Sequence, residues 1–288
     1  MQTGNLPVCN MDVFGERTKD FWMGDIKRLL ENSPLLELPH KQNFYALYII
    51  DKADGEIIID SQKIRLDNAK IIIIKPGCIS STNINRDAVG KLICFTEEFF
   101  SLRYNNNMLN HFSFFDRNAR VYVRLNEEQK GRWNQLLQFL SDEFRLRKKE
   151  TKNVLRSYLN IFLFEMERLY NPMGISKSYN PKQEKMFQFQ KLIEQHFKQK
   201  KMPSDYAELL HVTPNYLNKL CKEEIGHTAG DLIRKQIIIE AQRLLLYTTD
   251  SINEIADELG FDHTSYFVTF FKKQTELTPE LFRKNQNE

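Results

Sequence analysis

The sequence predicts an α+β protein of two domains: an N-terminal β-barrel or jelly roll carrying a helical pair, and a C-terminal all-α domain with two helix-turn-helix units. Three observations predict it. Residues 43–125 hold short apolar runs separated by turn signals. From residue 126 the apolar positions recur at helical spacing. Beyond residue 185, a short helix, a tight turn and a second helix occur twice, at residues 206–220 and 254–273.

The 288 residues suit two domains, and 41% hydrophobic with 12% aromatic content is enough to bury real cores. No apolar run approaches the ~18 residues of a membrane span, and residues 1–10 lack the basic and apolar stretches of a signal peptide. Cys9, Cys78, Cys94 and Cys221 stand apart with no C-x-x-C pair. A reducing cytoplasm is therefore expected, without disulfides or zinc. The chain carries a net charge of +3, yet residues 181–288 hold 15 Lys and Arg against 16 Asp and Glu. Any nucleic-acid surface must then be a local basic face, with modest nonspecific affinity.

Residues 1–40 are mixed, with Phe21-Trp22-Met23 a short packed element of no assigned role. Strands are expected at residues 44–50, at 56–60 after the Asp54-Gly55 turn, at 64–66 after Ser61-Gln62, at 71–74, at 91–95 and at 121–125. Pro76-Gly77 ends the fourth of these. Many short strands at close spacing suggest a small barrel or jelly roll over residues 1–125. Phe44, Tyr45 and Tyr48 in its first long strand are candidates to line a ligand pocket, with ordinary core as the alternative.

Residues 126–172 predict an antiparallel helical pair. Asn126 with Gln129 can cap the first helix, which carries Trp133, Leu136, Leu137, Leu140 and Phe144. The second starts near Thr151, carries Leu155, Leu159, Phe162, Leu163, Met166 and Leu169, and stops at Asn171-Pro172. Such stripes either cover the barrel or dimerise. Residues 173–184 are expected to be a linker, leaving residues 185–286 as the all-α domain.

Within that domain, Ser251-Ile252-Asn253-Glu254 has the form of a capping box, and Gly260 can end its helix in the left-handed conformation. Asp262 can cap the helix that follows. In the first copy, Thr213-Pro214 is a cap followed by proline at the first helical position. The copies match at an offset of 49 residues before the turn and 50 after it, so that Tyr216 matches Tyr266 and Lys222 matches Lys272. A long helix at residues 230–247, roughly 25 Å at 1.5 Å per residue, could hold two recognition helices one DNA turn apart, facing adjacent major grooves.

The expected double-stranded DNA contacts are Asn215, Tyr216, Asn218, Lys219 and Lys222 in the first copy and His263, Thr264, Ser265, Thr269, Lys272 and Lys273 in the second. Asn pairs with adenine, Lys with guanine or phosphate, and residues that open a recognition helix reach base edges. The bland alternatives are a solvated face and, for one of His263, Thr264 and Ser265, a helix cap. The histidines show no metal-ligand spacing, and nucleophile-elbow, P-loop and Rossmann patterns are missing, so neither an enzyme nor a cofactor is expected.

Residues 185–283 resemble the AraC/XylS family of bacterial transcription regulators. The resemblance rests on Ser251 through Ala256 with Leu259-Gly260-Phe261, Ser265-Tyr266-Phe267, Phe271-Lys272 and Thr278-Pro279. A weaker likeness to the cupin-type sensing domain common in that family rests on Phe44-Tyr45, Pro76-Gly77 and residues 95–100. The resemblance implies a dimeric, ligand-responsive regulator with a small-molecule effector, and an activator that contacts RNA polymerase. Four residues depart from the family pattern. Glu276 stands where glycine is usual, Thr269 where arginine is frequent, and Gln42 and Ser80 where metal-binding cupins have histidine. The alternatives are a small-molecule-binding cupin and a protein-interaction module with vestigial DNA binding.

Overall fold

The computed structural model describes residues 6–15, 18–27, 29, 33–67, 69–101, 109, 112–115, 119–146, 148–171 and 181–285. The chain divides into two compact units, residues 7–176 and 177–288.

The described strands of the first unit are β1 (Val8–Cys9), β2 (Phe21–Asp25), β3 (His40–Gln42), β4 (Tyr45–Lys52), β5 (Gly55–Ile59), β6 (Gln62–Arg65), β7 (Lys70–Ile74), β8 (Ile79–Ile84), β9 (Val89–Phe95) and β10 (Tyr122–Arg124). They form two five-stranded sheets, ordered β1-β3-β8-β5-β6 and β10-β7-β4-β9-β2. All pairings are antiparallel except β1 with β3. Between the sheets lies one apolar core, with Tyr48, Ile72, Ile74 and Leu92 from one sheet meeting Ile57, Ile59, Ile64 and Ile84 from the other. The opposite face of β4, β7 and β9 supplies Leu47, Ile49, Ile71, Ile73 and Ile93 to a second core. This is why residues 44–50 and 71–74 are apolar without alternation: a strand buried on both faces has no solvent side to mark.

Four strands, β1, β2, β3 and β8, fall outside the sequence expectation. Phe21-Trp22-Met23 is the edge strand β2, paired with β9 from Phe21↔Phe95 to Asp25↔Lys91. Strand β8 is polar in sequence, but its Ser80 and Thr82 are buried. Their hydroxyls are bonded within the first unit, Thr82 Oγ1 donating to the Leu36 carbonyl at 3.0 Å. Bonding of that kind lets a polar residue sit inside a core.

A short helix α1 (Glu97–Ser101) is followed by the helical pair α2 (Glu127–Leu146) and α3 (Thr151–Tyr170). The expected cap is reciprocal: Asn126 Oδ1 accepts from the Gln129 amide at 2.9 Å, and Gln129 Oε1 from the Asn126 amide at 3.2 Å. Trp133, Leu137 and Leu140 of α2, and Leu155, Leu159, Phe162, Leu163 and Met166 of α3, pack on the outer face of the second sheet. Trp133 meets Phe162 edge-on at 4.6 Å. The buried stripes are thus spent on covering the sheet. Phe139, Leu146, Ile161 and Phe164 remain exposed.

The second unit is all-helical: α4 (Pro181–His196), α5 (Pro203–Leu209), α6 (Pro214–Ile225), α7 (Ala229–Tyr247), α8 (Ile252–Glu258), α9 (Thr264–Thr275) and α10 (Pro279–Asn285). Of the expected linker, residues 173–180 lie outside the described residues, and residues 181–184 form the first turn of α4. One core joins all seven helices, with Phe189, Tyr206, Leu217, Ile233, Ile255, Phe267 and Phe271 among its buried members and Phe282 packed against it.

Candidate nucleic-acid interface

The helix pairs α5–α6 and α8–α9 are built alike, down to their hydrogen bonds. In the first turn the amides of Leu210, His211 and Val212 donate to the carbonyls of Tyr206, Glu208 and Ala207. In the second, the amides of Leu259, Gly260 and Phe261 donate to Ile255, Asp257 and Ala256. Every one of these pairs is shifted by 49 residues. Ala207 and Ala256 are fully buried at the crossing, where a larger side chain would push the helices apart. His211 (φ 53°) and Gly260 (φ 71°) take the same left-handed position. A Cβ on Gly260 would lie 2.1 Å from the Lys198 carbonyl oxygen, so glycine is required there by space as well as by φ.

Capping sets where each second helix begins. Thr213 accepts from the Tyr216 amide at 3.2 Å, with Pro214 at the first helical position. Ahead of α8 the Ser251–Glu254 box closes in both directions, at 2.7 and 3.2 Å. The N-cap of α9 is His263, not Asp262, and its side chain makes no capping bond. Helix α7 starts one residue earlier than expected, at a box of Thr228 and Asp231. The Thr228 hydrogen bonds and Arg234 hold the Asp231 carboxyl down at about 2.

Helices α6 and α9 bury one face, Leu217, Leu220 and Cys221 in α6 and Phe267 and Phe271 in α9, and leave the other in solvent. Burial pushes the Cys221 thiol up to about 12, so it stays protonated. The exposed faces carry Asn215, Tyr216, Lys219 and Lys222, and, just before and along α9, His263, Ser265, Thr269, Lys272 and Lys273. The Lys219 ammonium lies 3.9 Å from Glu223, which pairs more closely with Lys182 at 2.8 Å.

Two expected contacts are committed elsewhere. Asn218 is half-buried, and its Oδ1 accepts the Ala229 amide at 3.0 Å, satisfying an N-terminal donor of α7. Thr264 Oγ1 donates to Asn253 Oδ1 and so ties α9 to α8. One residue of the face escaped the expectation although the 50-residue offset marks it: Tyr266, 65% exposed, occupies the position of Tyr216.

The model of a helix-turn-helix domain matches residues 206–285. The chain belongs to the AraC/XylS family. It is 28% identical over 138 residues to the regulatory protein PocR of Salmonella typhimurium, across 48% of this chain and 46% of PocR. It is 36% identical over 77 residues to the xylose operon regulatory protein of Escherichia coli, across 27% of this chain and 20% of that one. The chain thus spans about half the length, or less, of these curated relatives. Among solved structures, the C-terminal domain of AraT, a response regulator from Geobacillus stearothermophilus, is 34% identical over 37% of this chain and 86% of that one, with a TM-score of 0.35. The matched residues run from Tyr206, within α5, to the end of α10.

The three ligand-pocket candidates do not share a face. Phe44 and Tyr48 are buried in the core between the sheets, whereas Tyr45 packs on the α2–α3 side, stacked on Phe95 at 5.1 Å. The residues at the departing cupin positions do meet. Ser80 Oγ lies 3.4 Å from both His40 Nε2 and Gln42 Oε1, and all three are buried. His40 Nδ1 lies 2.9 Å from the Leu38 carbonyl oxygen, which accepts its proton.

Proposed function

We propose that the protein is a cytoplasmic, sequence-specific DNA-binding transcription regulator that reads two adjacent major grooves. The repeated helix pair carries this reading: two like-built units, each presenting a polar helix face from a fixed turn. Each pair acts as a helix-turn-helix unit, with α6 and α9 as recognition helices. Helix α7, 19 residues and so about 28 Å long, suits two recognition helices about one DNA turn apart. Asn215 and Lys219 in α6, and His263, Ser265 and Thr269 at α9, face base edges, while Lys222, Lys272 and Lys273 neutralise phosphates. Asn218 and Thr264 hold the recognition helices in place from behind. Tyr216 and Tyr266 offer flat apolar surface to sugar edges and thymine methyl groups. The names of PocR and the xylose operon regulatory protein support regulation as the cellular role.

In the same proposal residues 1–125 are a cupin-like sensing domain for a small-molecule effector. Helices α2 and α3 present Phe139, Ile161 and Phe164 to a second copy, giving a homodimer. Effector binding shifts the presentation of the two DNA-binding domains, and the DNA-bound dimer activates transcription through RNA polymerase.

The test is a reporter controlled by the protein, with Asn215 and Lys219 both changed to Ala. Loss of control with unchanged protein level supports the reading. Full control by the double variant would overturn it in favour of a protein-interaction module, which the net charge of residues 181–288 also suits.

A further inference from the structure

Helix α7 is not the only link between the helix pairs α5–α6 and α8–α9. The turn that follows α4, residues 197–202, touches both. On the side of α5–α6, the buried Tyr206 donates its hydroxyl to the Lys200 carbonyl at 2.7 Å. On the side of α8–α9, Lys201 Nζ donates to the Gly260 carbonyl at 2.6 Å and, within its own turn, to the Lys198 carbonyl at 2.7 Å. The same ammonium lies 5.2 Å from the centre of the Phe261 ring. Lys198 pairs with Glu258 of α8 at 2.8 Å. Glycine at 260 lets the Lys198 carbonyl come closer than any Cβ would permit. At the other end of the same helix, Lys185 Nζ donates to the Leu210 carbonyl, in the turn of α5–α6, at 3.3 Å. Each helix–turn–helix turn is therefore held by a lysine from α4 or its C-terminal turn.

We infer that the α4 segment is a second connector that fixes the separation and rotation of the two recognition helices, with Lys201 as the positioning residue for operator spacing. This rests on the reading of α6 and α9 as recognition helices. The shared apolar core and α7 join the two helix pairs, but apolar packing is non-directional and leaves their exact rotation to be set by directional bonds. A charged donor that bridges the Lys198 carbonyl of its own turn and the Gly260 carbonyl of the second pair supplies such a bond, and charge-assisted bonds are the stronger ones. The domain then accepts one spacing of its two DNA boxes and rejects others. One inserted base pair moves a box by about 3.4 Å and turns it by about 35°, which a braced pair cannot follow.

The experiment measures binding of the full chain to its selected two-box DNA and to the same DNA with one base pair inserted or deleted between the boxes. The wild type is expected to lose about tenfold or more on either change, as when well-placed base contacts are forfeited. Lys201→Met is expected to shrink the loss to about threefold, and Lys201→Arg, which keeps a charged donor, to restore most of it. A structural defect alone would lower affinity for all spacings together and leave their ratio unchanged. If Lys201→Met does not fold, Tyr206→Phe decides, since it releases the Lys200 carbonyl with almost no change in volume; its spacing penalty is expected to fall as well. An undiminished penalty in the folded variant overturns the brace. A wild type that selects no two-box motif fails the DNA reading itself and the brace with it, a result distinct from a two-box motif with unchanged spacing behaviour.

Discussion

Glu276 occupies in the second helix pair the left-handed backbone position that Gly226 occupies in the first. The two φ angles are 66° and 78°, and each amide donates back to the carbonyl of a lysine, Lys272 or Lys222. Glycine takes this conformation without a steric cost, whereas a residue with a Cβ loses roughly 1–2 kcal/mol. The last turn of α9 is therefore correctly placed but held against its local preference by α10 and the core beneath it.

Glu276→Gly is expected to stabilise the second unit. The relief of strain exceeds the added chain entropy of glycine, leaving a gain of about 0.5–1 kcal/mol. Calorimetry of the full chain reads this as a rise of a few degrees in the second unit's transition. Gly226→Ala is the converse. Nothing lies within 4 Å of the added Cβ, so its loss of about 1–2 kcal/mol comes from φ alone. A Glu276→Gly variant that melts at or below the wild type would refute the strain.

Asn218 and Lys219 are neighbours with different work. Asn218→Ala removes the acceptor of the Ala229 amide and is expected to cost about 1 kcal/mol, as capping losses do. Lys219→Ala, on an exposed position, is expected to leave stability within about 0.5 kcal/mol. In DNA binding, Lys219→Ala is expected to weaken affinity for the selected sequence and to relax specificity at the base it contacts, whereas Lys222→Ala is expected to lower the salt slope by about one unit. Thermal melts and salt titrations of these variants separate the roles. Equal melting temperatures would mean that the Asn218 bond is unimportant.

The first unit is expected to weaken in mild acid. Burial lowers the affinity of the His40 ring for a proton, with the Leu38 carbonyl acting in the opposite direction. The groups that touch the ring, Ser80 and the Leu38 carbonyl, carry no charge that would offset protonation. The unfolded chain takes up the proton near the ordinary value of about 6.5, and the folded chain only at lower pH. Stability is therefore complete above about pH 6.5 and declines as the pH falls toward the folded value. Urea unfolding at pH 7.5 and 5.5 measures it. His40→Gln is expected to reduce the difference between the two pH values, and an unchanged difference would remove His40 as its source.

The second unit was largely legible in the sequence because its determinants are local. Capping residues stand within three positions of the amides they serve, and the offsets of 49 and 50 fall directly out of the repeat. The helical pair was legible for the same reason, through its period and the Asn126–Gln129 cap. Strand β8 was hidden, because Ser80 and Thr82 look like loop residues until bonds from distant segments bury them. Strands β1 and β3 were too short to show a period. Hydrogen bonds beyond the local turn decided the site residues that shifted: nothing near Asn218 in sequence announces Ala229, and nothing beside Thr264 announces Asn253. The face that Tyr45 takes is likewise set by α2 and α3, whose docking the strand alone does not encode.

The most direct test of the central claim is selection of bound sequences from a random double-stranded DNA pool by the purified protein at two salt concentrations. The account predicts an enriched motif of two boxes about one helical turn apart, recovered at both concentrations. Binding that enriches no sequence and vanishes as salt rises would mean backbone contact alone, and would contradict sequence-specific reading by α6 and α9.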